Sequence, residues 1–208
     1  DHVIATNESY KKLEARRSGI PAGRITVVRN GPELRRVNGH VAPDPELRSL
    51  GKTIIGYVGA MGVQDGLDYL IRALRHLKED LGRSDFYAVL IGKGAAQESL
   101  KSLTRELGLV GDIRFTGFTG RVPDGALLAM LNTADVCVNP DVANEMNDIS
   151  TMNKVMEYMA LGKPIVAFDL PEHRVTAASA ALYVRPNDER EFARALATLM
   201  DDPLRRHE

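Results

Sequence analysis

Residues 147–167 read NDISTMNKVMEYMALGKPIVA, and this stretch predicts a loop, a helix and a buried strand in succession. Ser150 or Thr151 can cap the start of the helix. Gly162 can adopt the left-handed conformation that ends it, and Pro164 prevents its continuation. Apolar residues recur with a helical period and give the helix one packing face, which consists of Met152, Val155, Met156, Met159 and Ala160.

The first turn of this helix has the chemistry of an anion site. Free backbone N–H groups, two hydroxyl groups and the cation of Lys154 lie close together there, and this combination suits a phosphate. The alternative is structural. Ser150 and Thr151 are ordinary capping residues, and Lys154 with Glu157 is an ordinary surface pair at i,i+3 spacing. The residues alone leave both interpretations open.

Six short, β-branched apolar runs recur along the chain, with helical patterns between them. The runs are 54–58, 88–91, 113–116, 136–138, 165–168 and 182–184. Strands that are apolar on both faces and alternate with helices predict a parallel sheet covered by helices on each side. The fold class is therefore α/β, with a Rossmann-like parallel sheet of about six strands. Ligands bind such sheets at the carboxyl ends of the strands.

Residues 1–45 form a separate unit in this pattern. They contain a strand at 3–6, a helix at 8–18 and a second strand at 25–29, and the sequence VAPDP at 41–45 is typical of a linker. The sequence thus predicts two units, residues 1–45 and residues 46–208. The chain starts without methionine and stops in a charged tail, and we interpret it as a piece of a longer protein.

Composition excludes several classes of function. The 208 residues carry a net charge of −1, which argues against a nucleic-acid partner. A single cysteine, Cys137, excludes an intramolecular disulfide and favours a reducing compartment. No apolar stretch has membrane-spanning length, and the five histidines lack metal-ligand spacing, so we expect no metal.

A glycine-rich turn follows the first apolar run, in the sequence GYVGAMGVQDG at 56–66. Gly59 and Gly62 would let the backbone approach a diphosphate, with Gln64 beside them. Glycines are also common in such turns for structural reasons alone. Lys93 and Arg174 follow two other strands and would bring cations to the same edge, unless they are merely solvated surface charges.

The sequence STMNKVMEYMALGKPIVAF at 150–168 resembles the donor-binding helix of family-4 (group 1) retaining glycosyltransferases with the GT-B fold. It is closest to a bacterial branch associated with cell-envelope polysaccharides. The resemblance implies that residues 46–208 are the C-terminal nucleotide-sugar-binding domain, and that residues 1–45 are the end of the N-terminal acceptor domain. It implies transfer of a sugar, with retention, from a nucleotide-diphosphate sugar to a glycan or lipid-linked acceptor.

Further expectations come from the same resemblance. The full-length enzyme would act in the cytoplasm, with peripheral association at the inner face of the cell membrane, and would need no cofactor or metal. The acceptor would bind through the N-terminal domain, so this chain alone should be inactive. No catalytic residue can be named. The donor site implied by pattern and resemblance together consists of Gly59, Gly62, Gln64, Lys93, Phe118, Asp148, Ser150, Thr151, Met152, Asn153, Lys154, Glu157 and Arg174.

The chain also departs from the family pattern. Glu157 matches the second of two marker glutamates, which contacts the ribose hydroxyls. The first glutamate is replaced by Ile149, and Asp148 or Glu145 could substitute only out of register. Ala60 and Asp65 stand where the family has an arginine and a lysine that contact the diphosphate, although the polysaccharide branch commonly shows this variant.

Two other functions remain open from the sequence. A nucleotide-sugar 2-epimerase has the same fold, but its catalytic acids and histidine find no match here. A non-catalytic nucleotide-binding α/β domain is favoured by the missing arginine, lysine and first glutamate.

Overall fold

The structure, a computed structural model, describes residues 2–32, 41–116 and 122–207. These residues form one six-stranded sheet and one two-stranded sheet, both entirely parallel. The strands are β1 (Val3–Ala5), β2 (Ile25–Val27), β3 (Thr53–Val58), β4 (Phe86–Ile91), β5 (Ile113–Phe115), β6 (Val136–Asn139), β7 (Ile165–Phe168) and β8 (Ala181–Val184). The large sheet has the order β5-β4-β3-β6-β7-β8. The predicted α/β class and six-stranded parallel sheet are confirmed.

Helices cover both faces of the large sheet. They are α1 (Glu8–Ser18), α2 (Pro45–Ser49), α3 (Leu67–Glu79), α4 (Gln97–Glu106), α5 (Asp124–Thr133), α6 (Asn153–Ala160), α7 (Pro171–Ala177) and α8 (Glu189–Asp201). Alternate strand residues point to opposite faces, so Ile55 joins a core with α3 and α8 while Ile54 joins one with α5 and α6. None of the helices in the described ranges is long and apolar enough to cross a membrane.

The chain order reverses between β3 and β6. From β3 the chain runs outward through β4 and β5, then crosses to β6 and runs outward on the other side through β7 and β8. Strands β3 and β6 pair directly, with Ile55 opposite Val136. In open parallel sheets a crevice forms outside the carboxyl ends of the strands at this switch point, and ligands bind there. The fold thus predicts a ligand site at the residues that follow Val58 and Asn139.

The first unit has the predicted strand–helix–strand order. Strands β1 and β2 pair with Val3 opposite Ile25, and α1 connects them. The segment predicted as a linker is tied to the larger unit. Asp44 caps α2, and its backbone N–H donates to the Thr133 hydroxyl of α5 at 2.7 Å. Leu47 of α2 is buried, so this short helix is the first of those that cover the large sheet.

Candidate functional site

The loops after β3 and β6 are bonded to each other at the switch point. Asn147, in the loop after β6, donates its side-chain amide to the Gln64 carbonyl at 2.9 Å. The Val58 N–H, at the end of β3, donates to the hydroxyl of Tyr158 in α6 at 2.9 Å. Tyr158 is fully buried. These bonds fix α6 against the turn that follows β3.

Two glycine turns meet at this edge of the sheet. Gly92 has φ +136°, and a Cβ at this position would lie 1.9 Å from the Gly59 carbonyl oxygen. The Met61 N–H donates to the Lys93 carbonyl at 3.1 Å, so the turns after β3 and β4 share backbone hydrogen bonds. The side chain of Lys93 is exposed. The close approach therefore brings the exposed Lys93 and the predicted diphosphate turn to one surface.

A buried ion cluster lies between the two loops of the switch point. The Nζ of Lys154 is 2.8 Å from Asp141 Oδ1 and 3.7 Å from Asp65 Oδ1. It also lies 5.0 Å from the centre of the Tyr57 ring. Lys154 is only 9% exposed. The interpretation of Lys154 as half of a surface pair with Glu157 is therefore wrong, because its ammonium group is held in the interior by two acids.

Asp65 connects this cluster to the glycine turn. Its Oδ2 accepts a hydrogen bond from the Gly62 N–H at 2.9 Å. Burial raises the pKa of the Asp65 carboxyl group, and the nearby Lys154 acts against this effect. Burial, together with the charges of Asp65 and Asp141, also raises the pKa of Tyr57. The Tyr57 hydroxyl therefore stays protonated and donates to the Ala60 carbonyl at 2.6 Å.

A second group of buried polar side chains continues the cluster towards β7. His173 Nδ1 lies 2.8 Å from the Phe168 carbonyl, which can only accept, so this nitrogen carries a proton. His173 Nε2 lies 3.0 Å from Asn139 Nδ2 and 3.7 Å from Asp141 Oδ2. Within the described residues, Asp141 Oδ2 and Asn139 Oδ1 are buried without a hydrogen-bond partner. Buried polar atoms normally form hydrogen bonds, so these two oxygens indicate a role other than packing.

The predicted capping of α6 by Ser150 or Thr151 is wrong. The N-cap residue is Met152, which makes no side-chain capping bond, and the helix begins at Asn153. The Ser150 hydroxyl donates to the Met146 carbonyl at 2.6 Å, and it also lies 2.8 Å from the Tyr10 hydroxyl. The hydroxyls of Ser150 and Thr151 both bond to groups outside α6, and therefore neither of them caps this helix.

The first unit supplies one partner of Thr151, whose hydroxyl also donates to Glu172 at 3.4 Å. The Asn7 side chain donates to Thr151 Oγ1 at 2.9 Å and to the Ile149 carbonyl at 2.8 Å. Its own oxygen accepts from the Tyr10 N–H at 2.7 Å, which caps α1. Ser9 donates to Glu172 of α7 at 2.7 Å. These bonds fasten the start of α1 to the loop that precedes α6.

A family model described as "Glycosyl transferases group 1" matches residues 52–202. The chain belongs to this family. It is 28% identical over 155 residues to the 2-deoxystreptamine glucosyltransferase of Streptomyces kanamyceticus, covering 74% of this chain and 38% of that protein. It is 31% identical over 159 residues to a phosphatidyl-myo-inositol mannosyltransferase of Mycobacterium leprae, covering 75% and 39%. The chain thus spans about two fifths of the length of these relatives.

Solved structures show the same fold. The crystal structure of Anabaena HepE in complex with UDP and glucose superposes with a TM-score of 0.79 at 18% identity, over 99% of this chain and 55% of that one. WaaG, a glycosyltransferase involved in lipopolysaccharide biosynthesis, gives a TM-score of 0.76 at 16% identity, over 98% and 55%. The large sheet of this group 1 glycosyltransferase chain is therefore that of GT-B proteins.

The remaining predicted donor residues of the group 1 domain lie on different elements and differ in burial. Glu157 is half-buried on α6, one turn after Lys154, and Asp148 is half-buried in the 3₁₀ turn Asn147–Ile149. Arg174 of α7 forms two hydrogen bonds with Asp169, at 2.6 and 2.7 Å, and lies over the ring of Tyr183. The resulting ion pair lowers the pKa of Asp169. Gln64 is exposed, and Phe118 lies outside the described residues.

Sequence reasoning missed Asn139, Asp141, His173 and Asn7. A signal existed for the first two, because Asn139 ends the buried strand β6 and Asp141 follows two residues later, and polar residues at the carboxyl end of a parallel strand lie at the ligand edge. In the ranges that the structure describes, no group of three His, Cys, Asp or Glu side chains could hold a metal ion.

Proposed function

We propose that residues 46–208 are the nucleotide-sugar-binding domain of a retaining glycosyltransferase and that residues 1–45 belong to its acceptor domain. In the full-length protein, the sugar would pass to a glycan or lipid-linked acceptor during the synthesis of bacterial cell-envelope polysaccharide. This reaction would take place at the inner face of the cell membrane, without a metal or cofactor. The family match and the relatives' names support transfer of a sugar.

The observation that carries the proposal is the convergence of anion-binding groups at the switch point. The glycine turn after β3, the start of α6 and the buried Lys154 lie at one edge of the sheet. The first N–H groups of a helix have no acceptor within the helix, and they favour a phosphate. A lysine adds the charge that offsets the desolvation of the phosphates. The diphosphate would therefore lie over Gly62 and the first turn of α6.

The other predicted residues have assigned roles in this proposal. Glu157 would accept hydrogen bonds from the ribose hydroxyls, since one helical turn spans about 5 Å, a suitable distance from the phosphates. Lys93 would contribute a second cation from the turn after β4. The remaining donor contacts would come from Gly59, Gln64, Phe118, Asp148, Ser150, Thr151, Met152, Asn153 and Arg174.

We expect this chain to bind a nucleoside-diphosphate sugar with a dissociation constant of about 0.1–1 mM. The affinity should be weak because a site formed by one domain alone leaves much of the ligand in water and makes fewer contacts with it. Calorimetry with UDP-, GDP- and ADP-sugars measures the binding directly. If none of them produces a binding heat at millimolar concentration, the proposed donor site is wrong.

Replacing Glu157 by glutamine should weaken this binding about tenfold, while the melting temperature stays nearly constant. A charged acceptor contributes about 1.5–3 kcal/mol per hydrogen bond, and glutamine keeps the size and helix propensity of the side chain. Glu106→Gln, at an exposed position of α4 that belongs to no proposed donor contact, is the matched control. Equal affinities for the Glu157→Gln variant and the unchanged chain would remove Glu157 from the ribose site.

A non-catalytic nucleotide-binding domain is the second candidate. The specific observation in its favour is Asp65, an acid that bonds to the diphosphate turn where the family has a lysine. The full-length protein with a labelled donor separates the two functions. Transfer to an acceptor supports the glycosyltransferase, and binding without turnover supports the second candidate.

A further inference from the structure

The Asp65 carboxylate binds the groups that an incoming phosphate would need. Its Oδ2 accepts from the Gly62 N–H at 2.9 Å, and its Oδ1 lies 3.7 Å from the Lys154 ammonium group. Gly62 belongs to the turn after β3, and Lys154 belongs to the first turn of α6. Backbone N–H groups and a lysine are typical partners of a bound phosphate. Asp65 therefore occupies part of the anion site with an anion of the protein's own.

The charges of Lys154, Asp65 and Asp141 do not balance among themselves, and the His173 ring, which carries a charge only when it is protonated, lies 3.7 Å from Asp141 Oδ2. A single ammonium group, that of Lys154, lies between the carboxylates of Asp65 and Asp141. Asp141 is 1% exposed, and its Oδ2 lacks a hydrogen-bond partner among the described residues. With both acids ionised, the three groups carry an excess negative charge. The diphosphate group of a nucleotide sugar would bring two more negative charges to this place, where burial leaves little screening.

We propose that Asp65 is an internal competitor of the donor diphosphate, and that a nucleotide sugar binds with uptake of one proton by the Asp65 carboxyl group. This inference rests on the proposed donor site. The proton comes from the solvent and binds to a carboxylate oxygen of Asp65. The Gly62 N–H and the Lys154 ammonium group then become available to the phosphate oxygens. No covalent bond of the nucleotide changes in this step.

The surroundings of Asp65 favour protonation of this acid. Among the described residues, the groups that face it include Lys154 from α6, Asp141 from the loop after β6, Tyr57 from β3 and the Gly62 N–H from its own turn. Burial already raises the pKa of Asp65, and the charge of Lys154 is the strongest influence against it. A phosphate that shares Lys154 weakens this opposition and adds negative charge. Both changes raise the pKa of Asp65 further.

Asp65 rather than Asp141 is the acid to protonate because of their distances from the lysine. Asp141 Oδ1 forms a hydrogen bond with Lys154 at 2.8 Å, whereas Asp65 Oδ1 is at 3.7 Å. Asp65 is also the less enclosed of the two, with side-chain exposures of 13% against 1%. The looser ion pair costs less to break, so neutralising Asp65 loses less attraction to Lys154 than neutralising Asp141 would, and its partial exposure gives a proton from the solvent a route to it.

Calorimetry in buffers of different ionisation enthalpy tests the proposal. The probe is UDP-glucose, or the nucleotide sugar that binds best in the screen above. A sugar nucleotide is preferable to free UDP because a terminal phosphate itself titrates near pH 6. We expect the binding heat at pH 7.5 to change with the buffer, which corresponds to uptake of about one proton. The dissociation constant should then rise about tenfold per pH unit above this pH.

Replacing Asp65 by asparagine provides the second measurement. Asparagine keeps an oxygen for the Gly62 N–H but removes the charge, so the affinity at pH 8 should increase about tenfold and the buffer dependence should disappear. Asp68→Asn is the matched control, because Asp68 pairs with Arg72 outside the cluster, at 2.6 Å. This control should bind with unchanged affinity and proton uptake.

The possible outcomes separate the inference from the function on which it rests. Binding by the unchanged chain without any buffer dependence overturns the inference and leaves the donor site intact. Weaker binding by Asp65→Asn, at a melting temperature close to that of the unchanged chain, also overturns it, since Asp65 would then support the site rather than compete for it. Absence of binding for every nucleotide sugar overturns the donor site and the inference together. The buffer series on the unchanged chain decides the matter even if Asp65→Asn does not fold.

Discussion

Replacing Lys154 by methionine should lower the free energy of unfolding by about 3–5 kcal/mol, because removal of one partner leaves a buried charge uncompensated. Methionine preserves the length and the apolar part of the side chain, so the change acts mainly on the charge. Asp141 would lose its 2.8 Å hydrogen bond while its second oxygen already lacks a partner. Urea denaturation followed by circular dichroism measures the difference.

Two further variants identify the origin of this loss. Lys101→Met removes a lysine of α4 that pairs with Glu98 on the surface, and the loss should stay below about 1 kcal/mol. The double variant Lys154→Met/Asp141→Asn should be more stable than Lys154→Met alone, since it removes the stranded charge as well. A loss of only a few tenths of a kcal/mol for Lys154→Met would mean that the ammonium group lies in water, as a surface pair with Glu157 would require.

The sequence contained the information that is local in the chain. Helix α1 was predicted at residues 8–18 and is found at Glu8–Ser18, and β7 was predicted at 165–168 and is found at Ile165–Phe168. Asn7 caps α1 and Gly19 ends it in the left-handed conformation, so both boundaries have local causes. The alternation of apolar strands and amphipathic helices was sufficient for the parallel sheet. The expectation that a ligand binds at the carboxyl edge of this sheet followed from the fold class.

The sequence could not reveal partners that come from distant parts of the chain. Lys154 has the neighbours of a surface residue in its own helix, but β3 and β6 bring Asp65 and Asp141 to its ammonium group. The hydroxyl of Thr151 bonds to Asn7, which is 144 residues away in the chain. Capping patterns consider only partners that are near in the chain, so they predict that the Thr151 hydroxyl caps α6. The sequence thus predicted that Gly62 and Lys154 lie near one edge of the sheet, as the structure has them, but it did not predict their bonding to Asp65.

Gly66→Ala should destabilise the protein by about 3–5 kcal/mol, the range of mutations with a specific structural cause. Gly66 has φ +63°, and a Cβ at this position would lie 1.9 Å from the Pro140 carbonyl oxygen. The loop after β6 would have to move away from the turn after β3, although Asn147 and Gln64 bond the two loops together. Pro140 directly precedes Asp141, so this movement would also disturb the buried ion cluster. Sequence reasoning included Gly66 in a phosphate-binding turn, whereas the structure gives it a packing role.

Gly82→Ala is the control that measures the cost of the left-handed backbone conformation without the clash expected at Gly66. Gly82 has φ +66°, nearly the same as Gly66, and a Cβ there would meet no atom within 4 Å. Alanine in the left-handed region costs about 1–2 kcal/mol, and this should be the whole effect at Gly82. The difference between the two variants in urea denaturation therefore measures the contact of Gly66 with the Pro140 carbonyl. Equal losses would show that the loops after β3 and β6 can separate freely, and a donor site that depends on their close approach would then be untenable.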